Sequence, residues 1–187
     1  MATAPLKLLS YHQANAPHHL QNSGLLLNKV NNNLPTRKYN NVMMYKGEMD
    51  MNRNELFFSN LSGSEEVPPV QTNATGLIKF KVSSDGTRIG YKLTVNNLAN
   101  FTEAHIHLGH RRINGPVVVF LFGPIDPDIS VNKGVVEGVI TASDLVGPLQ
   151  GAPMHELLRL IRAGRAYVNA HTAQHPDGEI RGQIRRC

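Results

Sequence analysis

The sequence predicts an all-β fold, an antiparallel sandwich or flattened barrel that carries one short helix. Three observations indicate this class. Short runs of alternating apolar and polar residues follow one another from residue 54 onward, turn residues separate these runs, and a single stretch has helical periodicity. An alternating run places its apolar side chains on one face of a strand, so a series of such runs favours packed antiparallel strands.

The clearest strands flank Asp85-Gly86. Apolar residues alternate with polar ones over 78–82 and again over 89–95, and the second run is predicted to end at Asn96-Asn97. Asp-Gly between two such runs predicts a hairpin, because glycine accepts a positive φ without steric cost. Further strands are predicted at 56–61, 103–108, 116–122, 134–141, 165–171 and 178–185.

One stretch, 153–164, has the period of a helix. Its apolar residues follow i, i+3, i+4, i+7 spacing, and they are Met154, Leu157, Leu158 and Ile161. Pro153 suits a first helical position and Gly164 suits a C-terminal cap. We therefore expect a short amphipathic helix that packs its apolar face on the sheet.

Residues 1–53 differ in character from residues 54–187. The first region is rich in asparagine and lacks sustained periodicity, so we expect a flexible or disordered leader before one folded domain. Its best candidate for the apolar core of a secretory signal, Leu25-Leu26-Leu27, is too short, since such a core spans about 7–15 residues.

Charge and composition exclude several classes of partner. The net charge of +5 lies mostly in the leader, which has six basic and two acidic side chains, whereas residues 54–187 have 13 and 12. A nearly neutral domain lacks the basic face that nucleic-acid binding requires. No apolar run has the 18 or more residues of a membrane-spanning helix. Cys187 is the single cysteine, so no intrachain disulfide forms, and the oligomeric state stays open.

Two histidine clusters lie in predicted strands. His105 and His107 are two residues apart on one strand and therefore project from the same face. His171 ends a later strand, and His175 enters the turn after it. We predict a metal site formed by these four histidines, with His105, His107 and His171 as its principal ligands.

The ligand type limits the choice of metal. Imidazole nitrogen suits zinc, copper, iron and nickel better than calcium, and we expect copper or zinc. Glu103 lies on the same face as His105 and His107, as a carboxylate ligand or as a hydrogen-bond partner of a ligand. The alternative interpretation is that the histidines are strand residues which hydrogen-bond to neighbouring turns.

Other charged residues are interpreted as structural. Glu179 and Arg181 have the spacing of an exposed strand pair, and guidance of anions by Arg181 is the alternative. Glu65 and Glu66 are adjacent on an extended segment and so face opposite ways, which does not suit the facing carboxylates of a glycosidase.

Five segments occur in a specific order along the chain. They are 61–70 (LSGSEEVPPV), 74–76 (ATG), 104–107 (AHIH), 114–118 (NGPVV), and 167–172 with 175–184 (YVNAHT and HPDGEIRGQI). Together they resemble the CHRD domain, a module of animal chordins that also occurs as a stand-alone domain in microbes. The resemblance covers about residues 55–186.

The resemblance implies an immunoglobulin-like β-barrel, distantly similar to copper/zinc superoxide dismutase. The His105-x-His107 strand looks like the copper strand of that enzyme, but this chain lacks its disulfide pair and its zinc ligands around a bridging histidine. In chordin, antagonism of a growth factor is associated with cysteine-rich modules that this sequence lacks. The resemblance also implies an extracellular or cell-envelope setting.

Three functions follow as hypotheses. The first, which we favour, is a CHRD-domain binding module that binds copper or zinc through its histidines and acts on a protein partner without catalysis. The second is a redox metalloenzyme distantly similar to copper/zinc superoxide dismutase. The third is a purely structural protein-interaction domain.

Overall fold

Nine strands pair into one continuous sheet in the computed structural model, which describes residues 6–7 and 55–187. They are β1 (Leu6–Lys7), β2 (Leu56–Ser62), β3 (Thr75–Val82), β4 (Ile89–Leu108), β5 (Val117–Phe122), β6 (Ile129–Ile140), β7 (Ala166–Thr172), β8 (Ile180–Gln183) and β9 (Arg185–Arg186). One α-helix, α1 (Met154–Arg162), and three short 3-10 segments (Gly63–Glu65, Ala142–Asp144 and Gly147–Leu149) complete the described elements. None of the described helices has the length and apolarity needed to cross a membrane.

Five of the strands close on themselves. β4 pairs with β3, β3 with β2, β2 with β8, β8 with β7, and β7 returns to β4, all antiparallel. The closure removes two sheet edges and encloses a core. β5 and β6 also pair with β4, and the two-residue β1 runs parallel to β6. The predicted all-β class with one short helix is confirmed.

The predicted end of a strand at Asn96-Asn97 is wrong. β4 continues from Ile89 to Leu108, and its pairing with β6 shifts register between Leu98 and Phe101. Asn97 and Asn100 have φ of 51° and 54°, a left-handed conformation that asparagine tolerates better than most residues. The turn chemistry thus makes a bulge that redirects the strand, and the second half of β4 leaves β6 for β5 and β7.

The core and the helix follow the predicted patterns. Ile78, Phe80 and Val82 are buried, as are the four apolar residues predicted for one face of α1. Gly164 ends that helix with φ of 66°, whereas Pro153 is the N-cap and not the first helical residue. The predicted hairpin turn is present at Gly86, where φ is 67°.

Two other predicted boundaries concern the last strand and the leader. The strand predicted at 178–185 is divided at Ile184 into β8 and β9, which pair with different parts of β2. Of the predicted leader at 1–53, only β1 is among the described residues. The flexible leader and the 53/54 boundary otherwise lie outside those residues and stay predictions.

Candidate metal centre

Adjacent strands β4, β7 and β8 carry buried residues on both of their faces. Across these strands His105 pairs with Asn169, His107 with Tyr167, and Asn169 with Arg181. Side chains alternate along each strand, so these residues share one face, and Ala104, Ile106, Val168 and Ala170 share the other. The second set belongs to the hydrophobic core. We call the first set the polar face; its members are Glu103, His105, His107, Tyr167, Asn169, His171 and Arg181.

Loops cover the polar face and remove it from solvent. The exposed fractions are 4% for His105, 8% for His107, 5% for His171, 3% for Asn169 and 2% for Arg181. The loop at 109–116 contacts His107, and the loop at 173–179 contacts His171. Such burial of polar groups is costly unless each one finds a partner, which makes their contacts decisive.

Three of the four predicted histidines converge. One ring nitrogen from each of His105, His107 and His171 lies within 4.8 Å of the others. Nδ1 of His105 is 3.1 Å from Nε2 of His171. Two nitrogens that bind one ion at about 2.0–2.1 Å lie roughly 3–4 Å apart, a separation that this pair already has.

Backbone carbonyls orient two of these rings. Nδ1 of His107 lies 2.9 Å from the carbonyl oxygen of Gly115, and Nδ1 of His171 lies 2.8 Å from that of Pro176. A carbonyl oxygen only accepts, so each Nδ1 carries the proton. In the neutral ring the lone pair is then on Nε2, the arrangement typical of metal-binding histidines.

The Gly115 carbonyl is held close to His107 by a tight approach of the chain. A side chain at Gly115 would overlap the carbonyl of Leu108, so glycine is needed there. The Gly115 N–H donates to the Tyr167 hydroxyl at 3.2 Å, and the His107 ring stacks on the Tyr167 ring with centroids 4.9 Å apart.

The third ring, His105, is only partly satisfied. With the proton on Nδ1, it donates to Nε2 of His171, 3.1 Å away. Its Nε2 then holds a lone pair 3.2 Å from Oε2 of Glu103, and it has no hydrogen-bond partner among the described residues. With the proton on Nε2, the lone pairs of His105 and His171 would face each other.

Protonation of these histidines is unfavourable. Burial, together with the nearby His171 and His107 rings, lowers the pKa of His105 to about 3. Burial also lowers the pKa of His107, although the hydrogen bond to Gly115 opposes the shift. Nε2 of His107 is buried and has no hydrogen-bond partner among the described residues. The cluster is therefore rich in lone pairs and resists protonation.

Asn169 is a member of the site that the sequence analysis missed. Its Oδ1 lies 3.0 Å from Nε2 of His171. The available signal was its position two residues before His171, which puts both side chains on one strand face.

His175 is not brought into the cluster of described histidines that could hold a metal ion. It is half-buried in the turn after β7, where its backbone N–H donates to Thr172 and its carbonyl accepts from Gly178. The turn reverses the chain before His175, so the strand alternation that aligns the other three does not extend to it.

The prediction of an exposed Glu179–Arg181 pair is wrong, since both residues are buried. Arg181 lies 3.5 Å from the Tyr167 ring centroid and donates to Asn114 Oδ1 at 2.7 Å. It also donates to the carbonyl of Ile113 at 2.8 Å, while Glu179 accepts from two threonine hydroxyls. The loops over β8 cover the face that the alternation pattern assigned to solvent.

The two adjacent acids do face different surroundings, as the sequence analysis expected. Glu65 forms a two-point ion pair with Arg111 near the surface. Glu66 is buried and its Oε1 has no hydrogen-bond partner among the described residues. Burial raises the pKa of Glu66 to about 7, although Arg181 opposes the shift.

Comparisons with known proteins agree with the motifs. Residues 57–184 match the family model of the CHRD domain. Over 143 residues, 76% of this chain, the sequence is 31% identical to chordin of Danio rerio. The match covers 14% of that relative, so the chain spans a small part of its length. No solved structure gives a significant match.

Proposed function

The chain belongs to the CHRD domain family, and we propose that this member is a binding module that holds one copper or zinc ion through His105, His107 and His171. The observation that carries the proposal is the convergence of three buried imidazole rings, one nitrogen of each within 4.8 Å of the others. Nδ1 of His105 and Nε2 of His171 lie 3.1 Å apart, and Nε2 of His107, which holds a lone pair, has no hydrogen-bond partner among the described residues. A metal ion would supply that partner.

The surroundings of the rings support a metal more than a hydrogen-bonded network. Metal-binding histidines donate their second ring N–H to a carbonyl or a carboxylate. The Gly115 and Pro176 carbonyls accept in this way, and Glu103 is placed to do so for His105. The lowered pKa values of His105 and His107 mean that protons compete weakly for the lone pairs at neutral pH.

The spacing suits a small ion after a modest adjustment. Two nitrogens that each lie about 2.0–2.1 Å from a tetrahedral ion are roughly 3.3 Å apart. The His105–His171 pair at 3.1 Å is close to that value, whereas the widest separation, up to 4.8 Å, must shorten by roughly 1.5 Å on binding. Rotation of a side chain supplies a movement of this size without a change in the strands.

The burial of the site favours binding over redox catalysis. All three rings are almost fully buried, and the Phe120 ring packs edge-on against His105 with centroids 4.7 Å apart. A substrate would have to pass these covering groups to reach the ion. The redox hypothesis requires an open coordination position that substrate can reach.

The experiment is metal analysis of the full chain, purified without a histidine tag, stripped with a chelator, reloaded and desalted. We expect the unaltered chain to retain one more equivalent of zinc or copper than His107→Ala. His155→Ala, an exposed helix residue, is the matched control and should bind like the unaltered chain. Because every variant keeps His12, His18 and His19, the difference reports the site alone. Equal metal content in the unaltered chain and His107→Ala would contradict the proposal.

A further inference from the structure

Asn169 lies at the centre of the polar face. Across the sheet it pairs with His105 on one side and with Arg181 on the other. Its side chain is almost fully buried, and it precedes His171 by two residues on β7. Three adjacent strands thus place the amide directly among the rings.

The amide presents its oxygen to the histidines. Oδ1 lies 3.0 Å from Nε2 of His171, and on the same face Nε2 of His107 has no hydrogen-bond partner among the described residues. Since Pro176 holds the proton of His171 on Nδ1, Nε2 of that ring is an acceptor. Two acceptors therefore face each other at hydrogen-bond distance, which is repulsive without a positive charge between them.

The Glu66 carboxyl lies on the other side of the amide. Gly178 has φ of 123°, and a Cβ there would lie 2.5 Å from Oε1 of Glu66 and 2.8 Å from Nδ2 of Asn169. The amide NH₂ and the Glu66 carboxyl thus flank the same small space. In the structure Nδ2 lies on the Glu66 side and Oδ1 on the histidine side, the arrangement that keeps the amide oxygen away from that carboxyl oxygen.

We propose that Oδ1 of Asn169 is the fourth ligand of the ion held by His105, His107 and His171. The inference rests on the proposed function and makes it more specific. The four ligand atoms come in pairs from β4 and β7, so the ion joins two neighbouring strands of the barrel. A site with four protein ligands has no open position, which is the mark of a structural metal and not of a catalytic one.

The test uses Co²⁺, whose visible absorption reports coordination number, bound to the full chain in place of zinc. For the unaltered chain we expect a four-coordinate spectrum that excess azide does not alter. Asn169→Ala should bind Co²⁺ at least about tenfold more weakly, and azide should change its spectrum, because water takes the fourth position. Asn169→Asp, which keeps an oxygen ligand, should stay insensitive to azide. Asn132→Ala, an exposed asparagine, is the matched control.

The outcomes separate this inference from the proposed function. If the unaltered chain binds no more Co²⁺ than His107→Ala, both are overturned. If the histidines bind Co²⁺ but azide changes the spectrum of the unaltered chain, or Asn169→Ala behaves like it, only the fourth-ligand assignment fails. If circular dichroism shows that Asn169→Ala does not fold, the azide responses of the unaltered chain and of Asn169→Asp still test the fourth-ligand assignment.

Discussion

The two faces of β4 and β7 are both buried but differ in what they bury. On one face Ala104, Ile106, Val168 and Ala170 pack in the hydrophobic core. On the other, imidazole, amide and guanidinium groups are nearly as inaccessible. The apolar face gains free energy from almost any close packing, whereas the polar face requires a partner for each group. Burial alone therefore does not distinguish a core from a site.

The difference shows in what each face leaves unsatisfied. The side chains of the core residues have no polar atoms that need partners. The polar face and its covering loops contain buried atoms without hydrogen-bond partners, among them Nε2 of His107 and Oε1 of Glu66. Buried polar atoms of this kind are rare in folded proteins, and they mark where the fold gives up stability for another purpose.

The largest expected effect is on the polar face, at Arg181. Arg181→Ala removes a buried cation and leaves several backbone and side-chain acceptors without a donor, so it should lower the free energy of unfolding by about 3–5 kcal/mol. Arg185→Ala, four residues further along the chain in the exposed β9, is the control and should cost within about 0.5 kcal/mol. Urea unfolding measures both. Equal losses would mean that the buried contacts of Arg181 contribute nothing.

The apolar region should show a loss of similar or smaller size, at Leu157 of α1. This side chain is fully buried, and Leu157→Ala should cost about 2–4 kcal/mol through lost transfer free energy and a residual cavity. Arg159→Ala, on the exposed side of the same helix, should cost within about 0.5 kcal/mol. The Leu157 loss should not depend on pH, because no titrating group is involved.

The two faces should also differ, by a smaller amount, in how their stability depends on pH. The pKa of His105 is lowered from 6.5 to about 3 on folding, so the unfolded chain binds more protons between these values. The stability that neutral His105 contributes is present above about pH 6.5 and is lost as the pH falls toward 3. Metal-free His105→Gln should therefore lose less stability than the unaltered chain between pH 7 and pH 5.

The contribution of Glu66 to the pH dependence of stability should have the opposite sign. Its pKa is raised from 4.5 to about 7, so the folded chain binds more protons and stability falls as the pH rises through that interval. Relative to the unaltered chain, Glu66→Gln should be more stable by on the order of 1 kcal/mol at pH 8 and nearly equal at pH 4. Melting of the two variants across pH measures both effects. Parallel pH profiles for all three chains would contradict the assignment.

The smallest effect is expected for the leader. We propose that residues 54–187 fold without residues 1–53, because the described leader residues contribute only the two-residue β1 to the sheet. Deletion of the leader should change the melting temperature by no more than a few degrees, since so short a strand pairing contributes little. A larger loss would place the leader within the folding unit.

The strand alternation explains what the sequence predicts well. His105 and His107 share a face for a strictly local reason, and His171 meets them because its strand pairs with theirs. The hairpin at Gly86 and the phase of α1 are equally local.

What the sequence did not predict depends on distant segments. Arg181 looked exposed because its strand pattern does not reveal that the loop at 109–116 covers it. Asn169 was missed for the same reason, since its oxygen becomes notable only beside His171. The continuity of β4 depends on bulge geometry at Asn97 and Asn100, and a turn signal alone does not distinguish a bulge from a strand end.

The most direct test of the metal centre is nitrogen-15 NMR of the histidine rings during a zinc titration of the full chain. In the metal-free chain, the hydrogen bonds to backbone carbonyls should keep a proton on Nδ1 of His107 and of His171. One equivalent of zinc should shift Nε2 of His107, Nε2 of His171 and Nδ1 of His105 together, while His155 stays unchanged. Zinc-dependent shifts confined to other histidines, or none at one equivalent, would contradict the account.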